Sequence, residues 1–398
     1  MHLKKKIKMY HPHKVIIVGA GGIGRAVGLI LADMPEIDAD IFIGDLEHRI
    51  ASDVVDWIKE GSSSLAQIEP FVVHPTETTD QMDYVFKSGE IILDCLPGGE
   101  APRMAAIALK YGLHYVNLTE YVKESDQILQ MSQGAQTGFV LQAGLAPGYI
   151  NILTHHLYKE FISKYGDQEV DHVSMKVGAL TRMTTGPHYY GFTWSPIGVA
   201  TEYVKDAIVL RNGNSQMMPA LSETTQLIID GIHYEDDFTS GGAADMPEFF
   251  KNKVKSLDYK TIRYPGHYQW VREQLKEMGN VPDKDQVLLK RMLNDIPLVD
   301  DDLIILYASV KGKDKQGNLR IIEKSKRIEP MMIGSHKLKA IQLTTAAPML
   351  ECARMLLTGH YKGPILQSQI NTEEFLKGPF VQLAYGSNRS KEKMKLEQ

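Results

Sequence analysis

From residue 14 to 142 the chain alternates short β-branched apolar runs with stretches in which apolar positions recur every three or four residues. Residues 14–18, 40–44, 67–73, 91–94, 114–117 and 139–142 read as six strands, most of them apolar enough to be buried on both faces. Residues 22–32, 47–60, 79–86, 101–111 and 123–134 read as helices; in the first, Ile23, Val27, Ile30 and Leu31 fall on or near one side. Strands alternating with helices predict a parallel sheet covered on both faces, the doubly wound Rossmann arrangement of the α/β class.

The pattern changes after Gly144-Leu145-Ala146-Pro147-Gly148. A helix over 149–161 leads into longer strands, 170–180, 307–313 and 319–328, which predict a second, mixed sheet in an α/β domain. Residues 283–294 read as a helix, and 340–357 as one long apolar helix expected to pack back on the first domain. The organisation expected is a dinucleotide-binding domain over 14–148, a substrate and oligomerisation domain over 149–339, and a returning segment over 340–380. The polar stretch 387–398 is expected to fray.

Composition narrows the class. A chain of 398 residues exceeds what one core usually serves. Its 43% apolar and 23% charged residues and net charge of −5 are close to the ordinary soluble globular mix, with no basic stripe for nucleic acid. Two cysteines make no disulfide framework, which points to a reducing, cytoplasmic setting. No run is long and apolar enough for a membrane span, and Lys4, Lys5, Lys6 and Lys8 precede no apolar signal segment.

Gly19-Ala20-Gly21-Gly22-Ile23-Gly24 matches G-x-G-x-x-G, a weak motif alone. Here a strand precedes it and an amphipathic helix opens from it. Gly19 permits the tight turn, Gly21 and Gly22 with Ile23 bring backbone amides to a diphosphate, and Gly24 lets helix and strand approach. Asp45 stands about twenty residues beyond Gly24, where an acid accepts the ribose hydroxyls of NAD and repels the 2′-phosphate of NADP. NAD is therefore the expected cofactor, with Arg49 the nearby cation that would argue for NADP. Leu96 and Pro97, at the end of the fourth strand, are expected against the nicotinamide half.

Five further motifs are too particular for composition to explain. They are Ala143-Gly144-Leu145-Ala146-Pro147-Gly148-Tyr149-Ile150-Asn151, Phe192-Thr193-Trp194-Ser195-Pro196 with Glu202-Tyr203, Leu210-Arg211-Asn212-Gly213, Pro219-Ala220-Leu221-Ser222-Glu223, and Tyr259-Lys260-Thr261-Ile262-Arg263-Tyr264-Pro265-Gly266-His267. In this order they resemble the saccharopine dehydrogenase family, nearest its lysine 6-dehydrogenase branch. The resemblance implies a Rossmann domain, a C-terminal α/β domain, a homodimer or homotetramer, and NAD(P)-linked chemistry at a carbon–nitrogen bond of a lysine-derived or polyamine-like amino acid. Ala146 departs from the aspartate expected in that loop of saccharopine-forming enzymes.

Such chemistry needs a positioned C–H, a base for the amine proton and a cation for the carboxylate. Arg263 is the first candidate for the clamp and Arg182 the second; either could instead be structural. His267 and Tyr121 are the candidates for proton transfer, Glu120 for holding the amino group, and Asn151 for substrate contact or a helix cap. Tyr190, Thr193 and Trp194 are expected to line the substrate pocket, although an aromatic cluster also reads as core. No metal is expected: His155 and His156 are adjacent and diverge by about 100° on a helix, and no cysteine cluster has zinc spacing. The reading from another class is a catalytically silent NAD-binding sensor.

Overall fold

The computed structural model describes residues 11–120, 122–166, 169–182, 186 and 188–386. Tyr121 and the tail 387–398 lie outside the described residues.

The first half is β1 (His13–Val18), α1 (Gly22–Asp33), β2 (Ala39–Asp45), α2 (His48–Gly61), β3 (Ile68–Val72), α3 (Asp80–Ser88), β4 (Ile91–Asp94), α4 (Ala101–Tyr111), β5 (His114–Asn117), α5 (Val122–Met131) and β6 (Gly138–Val140). Then come α6 (Tyr149–Tyr165), β7 (Glu169–Thr181), α7 (Pro196–Glu202), β8 (Ala207–Arg211), β9 (Asn214–Met218), β10 (Thr225–Ile229), β11 (Ile232–Phe238), α8 (Met246–Phe250) and β12 (Ser256–Arg263). The chain continues through α9 (His267–Met278), α10 (Lys284–Asp295), β13 (Asp302–Lys313), β14 (Leu319–Ile328), β15 (Met331–Ile333), β16 (His336–Leu338), α11 (Ala340–Thr358), β17 (Gly363–Ile365), α12 (Thr372–Lys377) and α13 (Pro379–Tyr385).

The first sheet is parallel and runs β17-β6-β5-β4-β1-β2-β3. It holds seven strands rather than six, because β17 returns from beyond α11 to pair with β6. Its centre is fully apolar: Val15, Ile16, Ile17 and Val18 on β1 and Ile91, Ile92 and Leu93 on β4 are buried, as parallel strands covered on both faces must be.

The second sheet is mixed, in the order β10-β11-β12-β7-β13-β14, with β8 and then β9 beside β12. Helix α6 lies across β7, β13 and β14. It begins after the cis Ala146–Pro147 bond and Gly148, whose φ of +133° is open to glycine; a Cβ there would sit 2.1 Å from the Gly144 carbonyl oxygen. Helix α11 packs on α1 and β13, between the two sheets. Pro348 within it cannot bond the Thr344 carbonyl, and the Tyr385 hydroxyl donates to that oxygen instead, at 2.5 Å. No helix among the described residues is long and apolar enough to cross a membrane.

Candidate active site

At the carboxyl edge of the first sheet, β1 ends in a turn fixed by sterics. Gly19 has φ +96°, and a Cβ on Gly24 would lie 1.8 Å from the Gly19 carbonyl oxygen. The helix that follows has no side-chain cap and no acidic residue in its first turn, so its leading N–H groups face outward with their partial positive charge intact. Asp45 Oδ2 accepts the Ala20 N–H at 2.8 Å, tying the end of β2 to this turn. A Cβ on Gly21 would meet nothing within 4 Å, so the space above the turn is open. This cradle fits a dinucleotide diphosphate, with Gly21, Gly22, Ile23 and Gly24 around the phosphates and Asp45 toward the sugar.

From the cradle a cavity of about 670 Å³ opens between the domains. Gly22, Ile23, Leu96, Pro97 and Gly98 form its cofactor side. The Leu96 turn is anchored from below: Asp94 accepts the Leu96 N–H at 3.0 Å and the Tyr115 hydroxyl at 2.7 Å. Burial pushes the Asp94 carboxyl up to about 6. Helix α11 closes the rim, where Gln342 Nε2 donates to the Gly22 carbonyl at 2.8 Å.

The far side is built from the second sheet and the loop before α7. On β12 the period of two puts Tyr259, Thr261 and Arg263 on the cavity face, as Val177 and Ala179 are on β7. Arg263 is almost wholly buried and held on three sides. Its Nε donates to the Tyr203 hydroxyl at 2.6 Å, its Nη1 donates to the Ile262 carbonyl at 2.9 Å, and the Tyr190 ring lies 4.7 Å below the guanidinium. Among the described residues Nη2 has no hydrogen bond, so it is the end left for an anion.

Two carboxylates share this cavity: Glu120, from the loop after β5, and Glu202, the last residue of α7. Glu202 is buried, and its Oε2 has no hydrogen-bond partner; Thr193 Oγ1, also lining the cavity, has none either. Burial holds the Glu202 carboxyl well above the usual carboxylate range, the charge of Glu120 adds to the shift, and Arg263 opposes it. Glu120 is raised by burial and pulled back by Lys205.

The other expected site residues fall differently. Thr193 and Trp194 line the cavity with Glu120 and Arg263. Tyr190 does not; it is the floor beneath the guanidinium. His267 is fully buried and does not reach the cavity, so proton exchange with substrate is corrected to a supporting role. A carbonyl only accepts, so His267 Nδ1 donates to the His188 oxygen at 2.8 Å and Nε2 accepts the Tyr203 hydroxyl at 3.0 Å. Burial and the Arg263 charge depress its pKa to about 3, which keeps it neutral. Asn151 is corrected to a buried cap: Oδ1 accepts the Gly148 N–H at 2.7 Å and Nδ2 donates to the Gly242 carbonyl at 3.0 Å. Arg182 lies away from the cavity, exposed and within 3.6 Å of Asp301.

Glu202, Tyr259 and Thr261 had no assigned role in the sequence reading. The alternation of β12 carries a signal for the last two. Glu202 belongs to the quoted Glu202-Tyr203 motif, but an acid at the end of a short helix reads as solvated, which hides its role.

A Rossmann cradle opening into a largely apolar interdomain cavity, in which Glu120, Glu202 and Arg263 are the charged groups opposite the cradle, is the arrangement of a two-domain NAD(P)-binding oxidoreductase. Residues 15–141 match the saccharopine dehydrogenase NADP binding domain and residues 144–378 the saccharopine dehydrogenase C-terminal domain, and the chain belongs to the saccharopine dehydrogenase family. Its fold is that of apo saccharopine dehydrogenase (L-Glu forming) from Saccharomyces cerevisiae, with a TM-score of 0.72 at 12% identity over 94% of this chain and 98% of that one. It is also that of the homospermidine synthase of Legionella pneumophila in complex with NAD, with a TM-score of 0.63 at 13% identity over 95% of this chain and 90% of that one.

Proposed function

We propose that this protein is an NAD-dependent oxidoreductase acting on a carbon–nitrogen bond of a lysine-derived amino acid. The observation that carries the reading is one continuous cavity with the dinucleotide cradle at one end and Glu120, Glu202 and Arg263 at the other. Asp45 supports NAD over NADP: Oδ2 is committed to Ala20, while Oδ1, without a hydrogen bond among the described residues, is left for a ribose hydroxyl. Leu46, next in sequence, is exposed, and Arg49 pairs with Asp53 one turn on, at 3.1 Å. No cation is thereby committed to a 2′-phosphate.

A dinucleotide held by the turn over residues 19–24 and by Asp45 would supply a hydride acceptor for the carbon that bears the nitrogen. Arg263, fixed by Tyr203, Ile262 and Tyr190, binds and orients a carboxylate of the substrate. The acidic pair holds the amine, and Leu145 and Trp194 supply apolar wall to the same cavity. The two acids also favour a second reading, a substrate with more than one amine, as in carboxynorspermidine-type polyamines.

The test is an initial-rate panel of L-lysine, saccharopine and carboxynorspermidine, each with NAD and with NADP, read as formation of reduced dinucleotide. Turnover of one of these amines, faster with NAD, is the expected result. If none is turned over with either dinucleotide, a silent dinucleotide-binding protein replaces the enzyme.

A further inference from the structure

We propose that Glu202, faced by Glu120 across the cavity, is the group on which the substrate's ammonium docks and to which it gives up its proton. The proposal rests on the oxidoreductase reading above and assigns it a base.

The two domains each contribute one acid, so the pair exists only where they meet over the cavity. Glu202 Oε2 is buried with nothing donating to it, an uncommon state for a carboxylate oxygen unless something absent from the free protein belongs there. Thr193 Oγ1, in the same wall, is likewise buried and unpartnered. Arg263 does not fill the role: Nε donates to Tyr203 and Nη1 to the Ile262 carbonyl, and Nη2 makes no hydrogen bond to Glu202 Oε2, which has no partner. A water would satisfy the oxygens but not the juxtaposed acids. An ammonium does both: its N–H groups serve Glu202 Oε2, Thr193 Oγ1 and Glu120, and its charge offsets theirs.

The groups acting on Glu202 are Glu120 and Arg263, with the phenols of Tyr190, Tyr203 and Tyr259 buried beside it. Lys205 acts on Glu120 from the exposed side, and Asp285 of α10, packed on α7, is taken up by the Thr201 hydroxyl. Burial and the neighbouring acid therefore leave Glu202 a stronger base than an ordinary carboxylate. In the step proposed, one N–H bond of the ammonium breaks and its electron pair stays on nitrogen. An O–H bond forms on Glu202. A cation and a carboxylate become a neutral amine and a carboxylic acid, and no oxidant is consumed. The freed lone pair is what loss of hydride from the adjoining carbon requires.

The experiment is kcat/KM against pH with L-lysine and with saccharopine, for the unaltered protein and for Glu202→Gln, Glu202→Asp and Glu120→Gln. Near neutral pH, Glu202→Gln is expected to lose at least about 100-fold in kcat/KM, through kcat as well as KM. Its residual rate should climb with pH as free amine accumulates in solution. Glu202→Asp should recover part of the loss. Glu120→Gln should move the acidic limb of the profile to lower pH, because the charge that holds a proton on Glu202 is gone. A Glu202→Gln profile that overlays the unaltered one overturns the proposal, and so does a limb unmoved in Glu120→Gln. The latter decides the matter even if Glu202→Gln does not fold. Either result leaves the oxidoreductase reading standing, whereas an unaltered protein inactive on every amine overturns that reading and this assignment with it.

Discussion

Arg263 reaches the cavity already aimed, because its Nε donates to a Tyr203 hydroxyl that itself donates to His267. The geometry requires a neutral imidazole with Nε2 unprotonated, which is the state that burial imposes. A histidine whose pKa falls from 6.5 unfolded to about 3 folded contributes stability that is fully present above pH 6.5 and lost as the pH falls toward 3. In that window it adds a slope approaching about 1.4 kcal/mol per pH unit. Urea denaturation from pH 7 to pH 4 should therefore show a steeper acid loss in the unaltered protein than in His267→Gln. Parallel curves would remove His267 from the account. The residue looked like chemistry in the sequence because an ordinary imidazole titrates near physiological pH; what it faces is the back of the clamp.

Among the elements, α6 starts on a turn that one buried side chain closes. Asn151 closes the Gly148 turn and also satisfies the Gly242 carbonyl. Asn151→Ala leaves both backbone groups buried without a partner, and should cost roughly 2–3 kcal/mol in denaturant titration while kcat stays near its original value. A matching fall in kcat at unchanged stability would return Asn151 to the substrate site. The elements legible in the sequence were those with a single environment. β1, β2 and β4 are apolar through their centres because helices cover both their faces, and the glycine cradle between β1 and α1 is read from local spacing alone. β12 was only partly legible: its alternation marks one side, but neither face is plain core. Tyr259, Thr261 and Arg263 line the cavity, while Lys260 on the opposite face donates to the Glu223 carbonyl at 2.7 Å. β9 is nearly all exposed, and β17 is only Gly-Pro-Ile, too short to carry a pattern. The role of Glu202 was hidden for another reason: its environment is assembled from segments distant in sequence.

At the scale of the whole molecule, the dinucleotide cradle is completed by a helix that enters the chain more than three hundred residues later. Gln342 pins the Gly22 carbonyl, and its Oε1 accepts the Lys339 N–H at 3.0 Å. Asp302, at the start of β13, accepts the Ala340 and Ile341 N–H groups at 2.8 and 2.7 Å, so the second sheet sets where this helix begins. Gln342→Ala should weaken NAD binding by roughly three- to tenfold, the loss of about one hydrogen bond, with calorimetry as the measure. An unchanged Kd would show that the glycine turn holds its shape without the helix.

The pairing of β17 with β6 has a consequence for biosynthesis. A ribosome delivers β6 well before the strand that covers it, so throughout synthesis of the second half the nascent first sheet carries an unprotected edge at β6. Emergence of β17, rather than of the first third of the chain, is what removes that hazard. A fragment cut anywhere before Gly363 keeps it for good, and would be a poor vehicle for studying the nucleotide site in isolation.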